Sequence, residues 1–472
     1  FTISFYLKSS GCTYDPQYHR CDNSLFPVNL TLFTYGMQFG WVSPMTKVLQ
    51  SNHSPTGYPL SNYDLSWIAS VVCLTALLTV RLYATVVDRF GRRTGVLTIA
   101  LFQICWIVKT FSTSTTALII SRVFCGIPAG ACYSIIPLYV REISSDKIRG
   151  KLGSLFILFQ NTGVLVMYGM GAYLDYYVVL YIVTTLSVMT LLLFLLVIPE
   201  TPAFLIKSGK FDQAASTLAK LRGLNPSDEL LRNELDAMKT SESAFKSLPT
   251  VSFISIFKNK AWRRGFIIIL SLVATQSLSG NFAILTYAPG ILSSLGVTIS
   301  PELQTLSFPI FLIIGSIISM NIVERFGRKM LLATTFIVAV ISMTTLGTVI
   351  LVQQNGASVP SWLAIVAIAA YCCAYAAGIA PMPYIVMSEM FNFQIRARIM
   401  GVLVTIAWIT SFTQLSTFTP ITNVLGPYST FYCYGGINLI GGLVALMFLP
   451  ETKGKTVQQI ETDLMGKQLE TS

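Results

Sequence analysis

ATVVDRFGRR at residues 84–93 returns at residues 320–329 as MNIVERFGRK, and each copy stands between two apolar runs. The copies lie about half the chain's length apart. Two further phrases recur in the same order. VREISSDKIRG (140–150) pairs with SEMFNFQIRARIMG (388–401), with Glu142 seven residues before Arg149 and Glu389 seven before Arg396. IPETPAFL (198–205) pairs with LPETKGKT (449–456). A single basic phrase needs only a loop at a helix end. Three phrases in one order predict two tandem units.

Composition says where those units live. Of 472 residues, 53% are hydrophobic and 11% charged, whereas a soluble domain carries about a quarter charged residues. LYIVTTLSVMTLLLFLLVI (180–198) and ATTFIVAVISMTTLGTVILV (333–352) approach the roughly 20 residues that cross a hydrocarbon core. Twelve such segments are predicted, at 25–44, 66–87, 94–112, 116–140, 151–173, 176–198, 263–292, 304–323, 330–352, 362–388, 399–418 and 428–448. Residues 207–247 are polar and carry both charge signs, which predicts short soluble helices. The expected architecture is an all-α membrane protein of twelve transmembrane helices in two six-helix halves, 25–198 and 263–448. A helical linker at 199–262 joins them, with tails at 1–24 and 449–472. Parallel repeats of this kind characterise one large transporter architecture.

Lys and Arg set the orientation. If segment one starts inside, the inner loops gather Arg89, Arg92, Arg93, Arg141, Arg149, Arg325, Arg328 and Arg396, and the outer loops hold little beyond Lys47. Both termini are then expected in the cytoplasm, and the plasma membrane is the expected location. The net charge of +11 follows from this topology, and no basic patch interleaved with aromatics points to nucleic acid. The first ten residues lack the basic start, apolar core and small-residue cleavage site of a signal peptide. Seven of nine cysteines fall in apolar segments and read as small core residues. No metal site and no cofactor is expected.

RFGRR, PLYVREIS with IRGKLGS, PETP, QSLSGN, ERFGRK, PMPYIVMSEMF and PETKG occur in an order that resembles the sugar porter family of the major facilitator superfamily. The likeness covers nearly the whole chain. GWVSP in segment one and NTGVL in segment five resemble the facilitated trehalose transporter group of that family. The resemblance implies a sugar substrate, alternating access and a cytoplasmic gate. In that gate Asp88, Glu142 and Glu200 face Arg92, Arg93 and Arg149 in one half, and Glu324, Glu389 and Glu451 face Arg328 and Arg396 in the other. The family's PESPR-type phrase ends in Arg, whereas this chain has Ala203, so the first half lacks one cation.

The substrate site is expected near the midplane between the halves, where amides and hydroxyls bond sugar and aromatic faces meet ring carbons. In LFILFQNTGVL the family's usual Gln falls on Ile157, with Gln160 one turn along the same face and Asn161 matching trehalose-type sequences. In TQSLSGNFAILTY, Gln276 matches the first of the family's paired glutamines, Ser277 stands for the second, and Asn281 sits beside the Gly. Tyr384 replaces a common Trp, and Trp408 is retained. Leu312, Ala376 and Ala407 replace further polar positions of glucose facilitators. Proton-driven members carry an Asp in segment one where this chain has Val42, which predicts uniport. Arg122 matches the family's Arg in segment four, while Arg81 and Lys109 are unusual cations in apolar surroundings.

An enzyme is not expected, since the chain has two His and neither a GxxxxGK[ST] nor a GxSxG motif. The alternatives are a proton-coupled sugar symporter and a non-transporting sugar sensor on the same fold. The expected partners are a small sugar and the lipid bilayer. Asn52, in NHS, is the one sequon placed in an outer loop and is the expected glycosylation site.

Overall fold

The computed structural model describes residues 16–111, 114–143, 149–225, 228–247, 254–293 and 305–465. Every regular element among them is helical. Eight helices are long and apolar enough to cross a bilayer. The first half comprises α1 (Pro16–Gly40, resuming at Val42–Leu49), α2 (Asn62–Phe90), α3 (Arg92–Phe102 and Trp106–Thr110), α4 (Thr115–Ile143), α5 (Arg149–Tyr173) and α6 (Tyr176–Val197). The second comprises α7 (Lys260–Ser277, resuming at Asn281–Ser293), α8 (Ser307–Phe326), α9 (Arg328–Gln354), α10 (Ser361–Ala374 and Met382–Met390), α11 (Phe393–Leu425) and α12 (Pro427–Met447). Twelve membrane-crossing paths result, as the two-times-six pattern predicts.

Several paths are less regular than their apolar runs suggest. A 3-10 turn at Gln103–Cys105 interrupts α3, and a π-helical turn at Tyr375–Ile379 interrupts α10. α7 breaks across Leu278–Gly280, where Gly280 has φ +113°. The break is held from two sides. Ser279 Oγ lies 2.9 Å from the Tyr371 hydroxyl of α10, and Asn438 Nδ2 of α12 donates to the Ser279 carbonyl at 3.0 Å. Lost helical bonds inside a bilayer must be replaced within the protein, and here the Asn438 amide takes up the freed Ser279 carbonyl.

The doubled phrase has a structural cause. Gly91 and Gly327 turn the chain between α2 and α3 and between α8 and α9 with φ +102° and +83°. That conformation suits glycine, and a methyl at either position would overlap a carboxylate, Glu200 at the first and Glu451 at the second. Those carboxylates cap the helices that follow. Glu200 Oε1 accepts from the backbone N–H of Arg92 at 2.9 Å and of Arg93 at 3.1 Å. Glu451 accepts from Arg328 at 2.9 Å and from Lys329 at 3.2 Å. A carboxylate at a helix N-terminus satisfies orphan donors and meets the positive end of the helix dipole.

Apolar residues of α1–α6 pack into two clusters around Tyr35, Ile136 and Tyr139 and around Trp41, Trp106 and Val183. Those of α7–α12 pack around Phe336, Tyr371 and Phe431. α11 crosses this division, because Val404, Trp408 and Leu415 are buried in the first half's cluster. Opposite the basic loops, the halves also meet through the Phe39 and Phe282 rings, 5.1 Å apart. At that same end the Tyr168 hydroxyl donates to the Leu285 carbonyl, and Ser66 Oγ donates to Leu415 at 3.4 Å.

The linker helices Pro202–Lys207, Phe211–Arg222 and Glu229–Ser247 share a small core of Leu205, Leu218 and Leu231. Arg222 fastens them to the first half, donating to the Ile143 carbonyl at 3.0 Å and pairing with Glu234 at 2.7 Å. Residues 449–472, read from sequence as a tail, contain a docked helix, Val457–Met465. Its Ile460 and Leu464, four residues apart on one face, are buried. Glu461 accepts from Trp262 Nε1 at 2.7 Å, which ties the helix to the start of α7.

Candidate functional site

Polar side chains in the apolar middle of a bundle are costly unless bonded, so their arrangement is informative. The Tyr133 hydroxyl of α4 donates to Gln160 Oε1 of α5 at 3.0 Å. The Tyr133 ring meets Trp408 of α11 edge-on at 6.1 Å, Tyr35 of α1 at 6.0 Å and Phe156 at 5.5 Å. Tyr375 and Tyr384 of α10 lie within electrostatic reach of Tyr133. Tyr375 in turn faces the amides of Gln276 and Asn281 on either side of the α7 break. A ribbon of hydroxyls and amides therefore runs from α5 through α4 and α10 to α7, crossing from one half to the other.

The ribbon is only partly satisfied. Gln276 Nε2 donates to the Ala380 carbonyl at 3.2 Å. Gln276 Oε1 and Asn281 Oδ1 are buried and, among the described residues, have no partner in hydrogen-bonding geometry. Leaving a buried acceptor unpaired costs about 1–3 kcal/mol, so these two oxygens mark where a hydroxylated ligand gains most. Ser277 is buried beside them. Asn161 sits differently: its Nδ2 donates to Ser316 Oγ of α8 at 3.2 Å. That bond fastens α5 to α8 across the halves.

Arg122 and Val42 define the interior of the first half. Both are buried. Arg122 Nη1 donates to the Gln38 carbonyl at 2.9 Å and Nε to the Ile68 carbonyl at 3.0 Å, binding α4 to α1 and α2. Lys109 is fully buried and lies over the rings of Trp106 and Trp41. Arg81 is exposed on α2, where a long side chain can reach the membrane surface.

At the basic end the two halves repeat one clip. Arg92 Nε donates to Glu142 Oε1 at 3.1 Å, Arg92 Nη1 to the Val87 carbonyl at 3.3 Å, and Thr201 Oγ1 to Glu142 Oε2 at 2.5 Å. Arg328 Nε donates to Glu389 Oε1 at 3.1 Å, Arg328 Nη1 to the Val323 carbonyl at 3.2 Å, and Thr452 Oγ1 to Glu389 Oε2 at 2.6 Å. Burial raises the Glu451 carboxyl, but backbone N–H groups of Lys453, Arg328, Lys329 and Thr452 outweigh it and hold the group below its ordinary range. The Glu451 cap on α9 therefore keeps its full strength above the ordinary carboxylate range and loses it only as pH falls through the lowered value.

Other basic-end residues depart from the pairing read in the sequence. Among the described residues Arg396 makes no carboxylate bond: its Nε and Nη2 donate to the Phe391 carbonyl at 3.2 and 2.9 Å. Burial and the facing Arg141 both work against its charge. Arg93 likewise reaches a carbonyl, that of Leu195, at 3.1 Å. Asp88 is exposed and lies 3.3 Å from Lys207 and 3.8 Å from Arg92. The side chains of Arg149 and Glu324 lie outside those described. Asn52 is exposed in the loop between α1 and α2. The second sequon, at Asn29, is buried inside α1.

Tyr133, the hub of the ribbon, carries no mark in the sequence that separates it from the chain's other tyrosines. Its setting, CYSIIP in a proline-containing helix, gives a helix face but not a partner. Tyr371 and Asn438 were equally silent, because their role depends on a break whose register only the packing supplies.

A family model described as "Sugar (and other) transporter" matches residues 25–464. The facilitated trehalose transporter Tret1 of Anopheles gambiae is 29% identical over 443 residues, covering 93% of this chain and 55% of that protein. Tret1 of Culex quinquefasciatus is 28% identical over 444 residues, covering 93% of this chain and 85% of that protein. The chain thus spans about half the length of the Anopheles and Aedes aegypti relatives. Among solved structures, the inward-open xylose transporter XylE from E. coli matches with a TM-score of 0.74 at 22% identity, covering 93% of this chain and 98% of that one. A likeness at that identity speaks for the fold. With its model matched from segment one to the docked C-terminal helix, this chain belongs to the sugar (and other) transporter family of integral membrane proteins.

Proposed function

We propose that the protein is a uniporter that carries trehalose, a hexose or a related polyol across the plasma membrane by alternating access. The observation that carries the reading is the ribbon joining Gln160, Tyr133, Tyr375, Gln276 and Asn281 across the halves. Its groups are neutral donors and acceptors flanked by aromatic rings, a chemistry suited to sugar hydroxyls and ring carbons. Its two unpaired oxygens await donors. The trehalose facilitators among its relatives support the substrate class. On this reading the basic end faces the cytoplasm, the clips there bias the rocking of two halves divided at the 199–262 linker, and Asn52 lies outside. Glycosidase treatment of the native protein should then increase its gel mobility, and unchanged mobility would remove Asn52 as a glycan site.

Uniport is supported by what surrounds Arg122. The carbonyls of Gln38 and Ile68 take its N–H groups, and Val42 stands where proton-driven relatives carry a carboxylate. With no proton carrier at that position, uptake should equilibrate the substrate and ignore a pH gradient. A panel of labelled sugars and polyols in oocytes, run with and without a protonophore, tests both parts. Accumulation above equilibrium under an acid-outside gradient, collapsing with protonophore, would establish symport instead. Specific binding without net uptake of any sugar would favour a sensor.

A further inference from the structure

The interior of the first half holds two cations and no matching carboxylate. Lys109 of α3 and Arg122 of α4 are both buried, and among the described residues no Asp or Glu is buried. Arg122 spends its N–H groups on carbonyls. Among the described residues Lys109 Nζ has no partner in hydrogen-bonding geometry, and it rests 3.6 Å from the centre of the Trp106 ring and 4.4 Å from that of Trp41. Ring faces attract a cation but do not neutralise it, and an uncompensated buried charge is costly.

Two thiols lie beside this pair. Cys105 Sγ of the α3 turn and Cys125 Sγ of α4 are 3.2 Å apart, and both residues are buried. Lys109 stands four residues after Cys105 on α3 and Arg122 three residues before Cys125 on α4, so each cation shares a helix face with one of the two thiols. A thiol next to Lys or Arg is driven toward thiolate, the reactive form. Cys73, Cys132 and Cys372 are just as buried, but among the described residues Cys105 and Cys125 are the pair whose sulfurs meet.

We infer that Cys105 and Cys125 form an oxidation site for small neutral hydroperoxides, with Cys125 as the attacking thiolate and Lys109 as its counterion. The Cys125 thiolate attacks the O–O bond of hydrogen peroxide. An S–O bond forms, the O–O bond breaks, and the leaving hydroxide takes a proton from the Lys109 ammonium to become water. The Cys105 thiol then attacks the sulfenic sulfur. The S–S bond forms, the S–O bond breaks, and hydroxide leaves with the Cys105 proton as a second water. Two thiols lose two electrons, and one peroxide becomes two waters. The product staples α3 to α4 and leaves Lys109 as a neutral amine, its positive charge lost together with the thiolate's negative one.

The test uses the purified chain, reduced, exposed to hydrogen peroxide, denatured, alkylated with iodoacetamide and mapped by mass spectrometry. Cys105 and Cys125 should escape alkylation together and recover it after dithiothreitol, while Cys132 and Cys372 stay alkylated throughout. Lys109→Met should slow the loss by at least about tenfold, the effect of one unit in thiol acidity. Should Lys109→Met fail to fold, Cys105→Ser supplies the reading, because Cys125 should then stop at the sulfenic acid and be trapped by dimedone. Alkylation of Cys105 and Cys125 at the level of Cys132 after peroxide would overturn the inference. So would Lys109→Met oxidising at the parent rate, or Cys105→Ser yielding no dimedone adduct.

Discussion

Arg92→Ala cuts the maximal transport rate by at least about tenfold and leaves the half-saturation constant within about twofold, on the energies of broken buried ion pairs. The guanidinium is largely buried, with 10% of its side chain exposed, against a Glu142 carboxylate that is 12% exposed. Truncating one member of such a pair leaves the other charged and enclosed, which costs about 3–5 kcal/mol where the geometry is good. Glu142 retains only Thr201 Oγ1 as a described donor. The loss falls on the rate because the clip joins α3, α4 and the linker at the end that must open, and touches none of the ribbon. Arg328→Ala should behave alike, since its bonds to Glu389 and the Val323 carbonyl repeat those of Arg92. Lysine should rescue neither site, because an ammonium cannot bond a carboxylate and a carbonyl in the fixed fork that guanidinium supplies. Uptake kinetics normalised to surface-labelled protein read the result. A variant with parental rate at parental abundance would remove the clips from the transport cycle.

The ribbon gives the opposite signature. Gln160→Ala and Gln276→Ala should each raise the half-saturation constant several-fold to roughly tenfold, the range for one or two neutral hydrogen bonds lost in a dehydrated site. The rate should change less. Gln276 should show the larger effect, because its Oε1 has no protein partner to lose, whereas Gln160 Oε1 already accepts from Tyr133. Removing Gln160 strands that hydroxyl, so Tyr133→Phe should partly restore the Gln160→Ala variant. Parental constants in both glutamine variants would make these amides ties between helices, and the site would then be sought around Asn281, Tyr384 and Trp408.

Much of the fold was legible because the repeated phrases act locally. Gly in RFG, Glu in PET and the Arg after the glycine fix one turn and one cap, and that arrangement needs only neighbours whose order the sequence preserves. Halves, linker and membrane paths followed. Contacts between distant helices did not. Arg396 resembles a gate cation in its spacing from Glu389, yet the turn at Phe391 puts a carbonyl within closer reach. Asn161 is an amide in a site-bearing helix, but one helical step separates a face toward α8 from a face toward the ribbon. The chain from Tyr133 to Tyr375 depends on how α4 and α10 cross, and hydropathy does not encode a crossing. Lys109 stood out in sequence as a cation in an apolar run. The thiol pair beside it did not, because cysteines twenty residues apart on two helices look like ordinary core.

The central claim is that two halves bearing one shared sugar site rock around it without an ion to drive them. Counterflow exchange in proteoliposomes tests this most directly: vesicles loaded with unlabelled trehalose or hexose are diluted into trace labelled sugar with no gradient of protons. Labelled sugar should overshoot transiently inside, unchanged by protonophore and reduced in the Gln276→Ala variant. Protein that binds the sugar but shows no overshoot, or overshoots only when a proton gradient is imposed, would contradict it.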